Sequence, residues 1–298
     1  MLLGLEISSQ SASAVLCDDA GGAQLALRQE FAPHGAPATQ WMGAMELCRA
    51  LLHRAALEPV AIARLGISFP APVSRAGVVL KDPTHPGWEG YDLPRGAREH
   101  LHIEDVVAAS RAVCEGWGEA HFGALCEKSD WLYLHLGRAL ESALCLDGKI
   151  RLGSGGAGDV GGLIIERDGA LDGLGKRGTL RAYCGGEAWQ SRARSYGMAY
   201  TRAEEIWQLA EANFAAQSLV EDFIERLAQG LASAISLLEP ALICVGGGFG
   251  RAIFPQMAAP LASKLRDMAP AQPPILVAAL GEDAAALGAV ALALEPNF

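Results

Sequence analysis

The chain has 298 residues, of which 51% are hydrophobic and 19% are charged. This length accommodates about two domains of roughly 150 residues each, and the composition is that of a folded α/β protein and not of a disordered one. A formal net charge of −10 repels nucleic-acid backbones, and no apolar stretch reaches the ~20 residues that span a bilayer. We therefore expect a cytoplasmic protein that binds neither nucleic acid nor membranes.

A weak internal repeat organises the sequence. Residues 3–7 can be laid over residues 132–136, and in the same register residues 13–18 fall on residues 142–147. Each copy reads as strand, loop, strand and turn, and the Asp and Gly residues of the turns suit a hairpin. A duplicated unit of this kind predicts two α/β domains that face each other across a cleft.

Further along the chain, helices and buried strands follow the hairpins. Two short apolar runs, residues 61–69 and 242–245, read as buried strands. The second run leads directly into Gly246–Gly250, which gives a strand, a glycine-rich turn and a helix. Four segments predict helices: residues 41–56, residues 219–238, a stretch from about residue 252, and residues 283–294.

The seven cysteines form no Cys-x-x-Cys pair, and no histidine follows Leu136. This distribution predicts small buried side chains in a reducing compartment. It supplies no four-ligand zinc site, so we expect no structural zinc and no other metal. The cysteines are Cys17, Cys48, Cys114, Cys126, Cys145, Cys184 and Cys244.

Five segments, in order, resemble those of the ROK (Repressor, ORF, Kinase) family of sugar kinases. They are Leu65–Val73, Pro86–Trp88, Gly118–Ala124, Ile243–Gly248, and Gly281–Ala284 with Leu287–Ala289. The resemblance implies a ribonuclease-H-like, actin-type ATPase fold of the α/β class, with two lobes, a central cleft and often a dimer. We expect an N-terminal lobe of residues 1–115 and a C-terminal lobe of residues 116–298.

The family's catalytic base is the Asp of an Asn-Asp-Ala-Asn run. The corresponding residues of this chain are Ser110-Arg111-Ala112-Val113. A guanidinium remains protonated at neutral pH and cannot accept a proton. The resemblance therefore implies no catalytic residue at this position.

The family's phosphate loops are also altered. Asp-Ile-Gly-Gly-Thr corresponds to Glu6-Ile7-Ser8-Ser9-Gln10, and Gly-Thr-Gly-Ile-Gly-Gly-Gly corresponds to Gly137–Ala143. The added β-carbons restrict the approach of a nucleotide to the backbone, and Glu141 brings negative charge to the second loop. The positions left for a cofactor are Glu6, Gly137, Gly246, Gly247 and Gly248, the last three in the family's adenosine-side turn.

The family's sugar contacts are changed as well. Its Gly-Glu-Ile-Gly-His run corresponds to Gly158–Gly162, which keeps an acid at Asp159 but lacks the histidine, and a further family carboxylate corresponds to Arg181. The candidate ligand-binding residues are Trp88, Ser110, Arg111, Arg138 and Asp159. Arg111 and Arg138 suggest an anion such as a sugar phosphate, because a guanidinium fork suits such groups.

Three hypotheses follow from the resemblance. The first is a pseudokinase that binds a small sugar-like or anionic ligand, or a protein partner, with no cofactor. The second is an active ATP-dependent hexose or N-acetylamino sugar kinase that uses Glu6 for magnesium and Asp105 or Asp159 as a relocated base. The third is a sugar-responsive regulator, which would have to act through a protein partner because the chain is acidic.

Overall fold

The chain folds into two α/β units. The computed structural model describes residues 1–32, 35–198 and 202–295. The first unit consists of Met1–Cys126, Ile150–Ala157 and Glu282–Phe298. The second unit consists of Glu127–Lys149 and Gly158–Gly281.

Each unit is built on a five-stranded mixed sheet. The first sheet has the order β3-β2-β1-β4-β5, and the second has the order β10-β9-β6-β7-β8. The strands are β1 (Leu2–Ile7), β2 (Ser11–Cys17), β3 (Ala23–Glu30), β4 (Arg64–Phe69), β5 (Val106–Ser110), β6 (Trp131–Leu136), β7 (Leu140–Leu146), β8 (Lys149–Ile150), β9 (Leu242–Gly246) and β10 (Ile275–Val277).

The predicted internal repeat corresponds to a shared topology. In the first sheet β1 pairs antiparallel with β2 and parallel with β4. In the second sheet β6 pairs antiparallel with β7 and parallel with β9. The hairpins predicted from the repeat are thus confirmed, and the same five-strand order recurs in both sheets.

The helices are α1 (Pro37–Arg54), α2 (Leu93–Leu101), α3 (Arg111–Phe122), α4 (Arg181–Cys184), α5 (Gly186–Ser195), α6 (Ala203–Leu209), α7 (Phe214–Leu238), α8 (Gly248–Met268) and α9 (Ala284–Leu294). The four predicted helical segments correspond to α1, α7, α8 and α9, whose ends differ from the prediction by up to five residues, whereas α2 to α6 were not among those segments. The first helix starts four residues before Trp41 because Pro37 fits the first helical turn.

The C-terminal helix α9 belongs to the first unit, which corrects the expected boundary between residues 115 and 116. Residue 115 lies inside α3, so the two segments expected to separate there are one helix. The backbone of α9 packs directly on β4: a β-carbon at Gly66 would lie 1.8 Å from the Ala289 carbonyl oxygen. Contacts made by bare backbone give no apolar pattern, so the sequence could not assign α9 to this unit.

Six of the seven cysteines are buried, as predicted, whereas Cys126 is exposed. Burial raises the pKa of the Cys17 thiol to about 11 and that of the Cys48 thiol to about 12. These two thiols therefore remain protonated and unreactive at neutral pH. Within the described residues, no helix is long and apolar enough to span a bilayer.

Replacing Gly66 by alanine should destabilise the protein. The new methyl group would collide with the α9 backbone, which cannot move aside as a flexible side chain can. Overpacking of this kind costs about 1–3 kcal/mol in the free energy of unfolding, which chemical denaturation of the full-length chain measures. Gly156→Ala is the control, because no atom lies within 4 Å of its added carbon. Equal stability of the two variants would contradict the packing of α9 on β4.

Candidate functional site

The carboxyl edge of the first sheet gathers several of the predicted site residues. Strands β1, β4 and β5 run parallel, and Glu6 on β1 is in register with Ser68 on β4. Phe69, the last residue of β4, is in register with Ser110 at the end of β5. Arg111 follows immediately as the first residue of α3. Ligands of α/β proteins bind at this edge of a sheet.

Arg111 stands at the amino end of α3, and its neighbour Ser110 makes no capping hydrogen bond through its side chain. The glutamate of β1 is close by. Burial, above all, raises the pKa of the Cys114 thiol on α3, and the carboxylates of Glu115 and Glu6 raise it further. This edge of the sheet therefore carries the Glu6 carboxylate and the Arg111 guanidinium. The carboxylate lies on β1, whereas the position that the resemblance assigns to the family's base holds Arg111.

The turn between β1 and β2 uses its own backbone amides. Ser8 N–H donates to the Ser11 carbonyl oxygen over 2.8 Å. The Ser8 hydroxyl oxygen accepts hydrogen bonds from Gln10 N–H over 3.2 Å and from Ser11 N–H over 2.9 Å. The Gln40 side-chain amide donates to the Ser9 carbonyl oxygen over 3.1 Å. Three amides that could have faced a phosphate are thus occupied within the turn.

The second predicted phosphate loop, between β6 and β7, is tied to the start of α5. The Gly137 and Arg138 carbonyl oxygens accept hydrogen bonds from Gly186 N–H over 3.0 Å and from Glu187 N–H over 2.9 Å. The Arg138 guanidinium forms an ion pair with the Glu187 carboxylate over 2.7 Å. Arg138, predicted to bind an anion, therefore already has an acidic partner on its own unit.

The glycine turn after β9 is required by the fold of the second unit. A β-carbon at Gly246 would lie 1.8 Å from the Tyr133 hydroxyl oxygen, and one at Gly247, where φ is +77°, would lie 2.4 Å from the Leu136 carbonyl oxygen. Gly248, by contrast, has open space at the start of α8. Two of these three glycines are therefore explained by packing alone, without a nucleotide.

Trp88, a predicted ligand-binding residue, lies in the core of the first unit instead. Its side chain is 3% exposed. Its ring centroid is 4.8 Å from that of Phe69 and 5.3 Å from that of Tyr91. Burial of the Trp88 ring against Phe69 and Tyr91 stabilises the connection that follows β4.

Asp159 and Arg181 form an ion pair in the second unit. Asp159 precedes the short 3-10 turn Val160–Gly162, and Arg181 begins α4. Burial raises the pKa of the Asp159 carboxyl, while the Arg181 guanidinium acts in the opposite direction. The resemblance implies a carboxylate at each of these two positions in the family. In this chain one of the two is an arginine, so the two side chains attract each other as an ion pair.

Asp105, one of the two bases considered for an active kinase, lies at the wrong edge of the first sheet. It directly precedes β5, whereas Ser110 ends that strand. Its carboxylate pairs with the Arg64 guanidinium over 3.0 Å, and its side chain is 58% exposed. Asp105 is therefore separated from Arg111 by the full length of β5.

The connection that leads from the 3-10 turn Val160–Gly162 to α4 is closed by hydrogen bonds to Asp172. The Asp172 carboxylate accepts from Leu174 N–H over 2.9 Å, from Lys176 N–H over 2.8 Å and from the Thr179 hydroxyl over 2.7 Å. Asp172 and Thr179 are both buried. Among the described residues, no group of three or more His, Cys, Asp or Glu side chains is arranged to hold a metal ion.

Sequence reasoning missed a hydrogen-bonded trio in the connection after β4, formed by Asp82, Thr84 and His85. The Asp82 carboxylate accepts from Thr84 N–H over 2.8 Å, from the Thr84 hydroxyl over 2.7 Å and from His85 Nδ1 over 3.2 Å. The Asp-Pro-Thr-His run could have signalled it, since Asp and Thr at this spacing commonly form such a turn. We name these residues the 82–85 trio.

A sequence profile described as the ROK family matches residues 2–296. The kanosamine kinase of Amycolatopsis mediterranei (strain S699) is 31% identical over 242 residues, which are 77% of this chain and 76% of that protein. The N-acetylmannosamine kinase of Vibrio vulnificus (strain YJ016) is 26% identical over 194 residues, 63% of this chain and 65% of that protein.

Solved structures of ROK proteins share the fold of this chain. A ROK hexokinase from Thermus thermophilus superimposes with a TM-score of 0.84 at 22% identity, covering 98% of this chain and 97% of that one. A ROK family transcriptional regulator, a homolog of the E. coli MLC protein, gives a TM-score of 0.83 at 16% identity, covering 98% and 78%. At such identities the likeness shows the fold alone, and the predicted actin-type α/β fold is confirmed.

Replacing Thr179 by valine should loosen the segment that Asp172 closes. Valine has nearly the shape of threonine but no hydroxyl group, so the buried Asp172 carboxylate would lose one hydrogen-bond donor. Such a loss costs about 1–3 kcal/mol in the free energy of unfolding. Chemical denaturation measures the loss, with Thr39→Val on the exposed start of α1 as the control.

We also expect EDTA to leave the melting temperature of the protein unchanged. A fall on chelation would show that a metal, and not Asp172, holds the segment.

The Asp159–Arg181 pair should behave as a coupled unit. Arg181→Met leaves a partly buried carboxylate without its partner and should cost up to about 3 kcal/mol. Asp159→Leu combined with Arg181→Met should recover part of that loss, because neither charge then remains desolvated. A double-mutant cycle measured by denaturation gives the coupling free energy. Strict additivity of the two single variants would contradict the pair.

Proposed function

This chain belongs to the ROK family, and we propose that it binds a small sugar-like or anionic ligand, or a protein partner, without transferring phosphate. The observation that carries the proposal is Arg111 at the carboxyl end of β5, the position of the family's catalytic base. The family resemblance further implies a cytoplasmic homodimer as its setting.

Proton removal is the first step that such a chain lacks. A sugar kinase must take a proton from the attacking hydroxyl, and a base at this position contributes a factor of about 10² to 10⁴ in rate. Arg111 cannot act as that base. Asp105 lies at the opposite end of β5, and Asp159 is paired with Arg181. Neither of the two relocated bases considered is supported by its surroundings.

Phosphate positioning is the second step that it lacks. Transfer of a γ-phosphoryl group depends on backbone amides and cations that hold the phosphates in line. In the turn between β1 and β2, the amides of Ser8, Gln10 and Ser11 are engaged within the turn. Glu6 retains a carboxylate that could bind a magnesium ion, but the turn that follows it offers no glycine whose backbone a phosphate could approach. We therefore propose that ATP and magnesium are not cofactors of this chain.

The ligand class is suggested by the relatives. Two of them are named for kinases of kanosamine and of N-acetylmannosamine, so we propose amino sugars as the first compounds to test, with glucose as a neutral comparison. A net charge of −10 disfavours direct contact with nucleic acid. Any regulatory role would therefore run through a protein partner.

Purified protein should show no ATP-dependent phosphorylation of kanosamine, N-acetylmannosamine or glucose above the background without enzyme. The reason is that both the base and the phosphate contacts are missing. A coupled assay of ADP release measures turnover, and thermal shift measures binding of each sugar and of ATP with magnesium. We expect stabilisation by a sugar and none by the nucleotide.

A base-restoring variant, Ser110→Asn with Arg111→Asp, separates the two deficits. It should remain inactive because the turn between β1 and β2 still satisfies its own amides. Turnover in this variant would show that only the base was missing. Clear phosphorylation by the unaltered chain would contradict the proposal itself.

A further inference from the structure

The 82–85 trio fixes the orientation of the His85 ring. The Asp82 side chain is 8% exposed and that of His85 is 16% exposed. Burial acts to raise the pKa of the Asp82 carboxyl, but hydrogen bonds from His85 and Thr84 outweigh it, so that the pKa is lowered. Asp82 is therefore ionised at neutral pH. With three donors around it, this carboxylate has little freedom to turn.

The proton of a neutral His85 ring is assigned by this contact. An ionised carboxylate can only accept hydrogen bonds, and the Thr84 hydroxyl already donates its proton to Asp82. Nδ1 of His85 therefore carries the ring proton and donates to Asp82 over 3.2 Å and to the Thr84 hydroxyl oxygen over 2.9 Å. The other ring nitrogen, Nε2, then presents a lone pair. An aspartate that holds a histidine in one tautomer in this way prepares the far nitrogen to accept a proton or a hydrogen bond.

The Nε2 atom of His85 is open to a ligand. Among the described residues no group donates to it, and it is not one of the buried polar atoms that lack a partner. It therefore reaches solvent, although most of the ring is covered. A buried, oriented ring with one accessible acceptor atom is the arrangement of a binding group and not of a side chain that only fills space.

The trio lies at the same edge as the family's base position. The His85 ring centroid is 6.0 Å from that of Phe69, and Phe69 is in register with Ser110 across β4 and β5. Phe69 thus places the His85 ring near the carboxyl end of β4, beside the end of β5 that precedes Arg111. Glu6, Arg111 and His85 consequently belong to one edge of the first sheet.

We propose that His85, oriented by Asp82, accepts a hydrogen bond from a hydroxyl group of a ligand bound at this edge. A neutral imidazole whose Nδ1 proton is committed to Asp82 has no donor to offer an anionic oxygen, but it matches an O–H group. The group that His85 contacts is therefore a hydroxyl, as a sugar supplies, and not a phosphate or carboxylate oxygen. This inference rests on the proposed function for the presence of a small ligand, and it does not depend on the absence of phosphate transfer.

Titration calorimetry with the three sugars named above tests the site on the full-length chain. His85→Phe keeps a ring against Phe69 but removes the acceptor, and it should weaken binding of the best sugar by roughly tenfold or more. Asp82→Asn should weaken it less, because the ring remains but its tautomer is no longer fixed. His53→Phe, at the exposed end of α1, is the matched control and should bind as the unaltered chain does.

The ring itself provides a readout that does not depend on which sugar binds. Nitrogen-15 spectra of the imidazole should show a proton on Nδ1 in the unaltered chain and a mixed or reversed tautomer in Asp82→Asn. A proton on Nε2 in the unaltered chain would overturn the inference even if a sugar binds. Circular dichroism checks that each variant is folded.

The remaining outcomes are also decisive. Equal affinity of His85→Phe and the unaltered chain, or no binding of any of the three sugars at about 10 mM, would overturn the site. Binding of inorganic phosphate that His85→Phe weakens would do so as well. If the unaltered chain phosphorylates a sugar and His85→Phe abolishes turnover, the absence of phosphate transfer is wrong while the role of His85 stands.

Discussion

The parallel pairing of β1, β4 and β5 determines which side chains of the first unit can act together. Because these strands point the same way, whatever follows the end of each one meets at a single edge. Glu6, the start of α3 at Arg111, and the connection that carries His85 all satisfy this condition. Asp105 does not, because it enters β5 at the other end. The direction of the strands therefore determines which charged side chains meet, and the charges of those side chains determine which ligand groups they can bind.

Much of the fold could be predicted from the sequence. The repeated apolar runs located both hairpins, and the helical periodicity of residues 219–238 located most of α7. Such patterns report burial along one element and are local. The membership of α9 was not predictable in this way, because its closest contacts are between backbones, as at Gly66, and leave no periodic signature.

The candidate site was predictable only where chemistry depends on a residue's identity. An arginine cannot accept a proton in any fold, so the resemblance alone implies that Arg111 is not a base. Partnerships were not predictable: Arg138 with Glu187, and Asp159 with Arg181, join segments that are distant or unrelated in sequence. Trp88 was misassigned because a motif residue can be retained for packing alone. His85 was overlooked because the compared family segment begins one residue after it, at Pro86.

The position of α9 also bears on how the protein is made. The first unit begins with the first residue of the chain, but its final layer is supplied by Ala284–Leu294, close to the other end. On the ribosome, β1 and β4 emerge long before the helix that covers them. The amino-terminal unit therefore cannot acquire its complete core during early synthesis. Both segments of the second unit, Glu127–Lys149 and Gly158–Gly281, precede α9 and so emerge in full before the first unit can close.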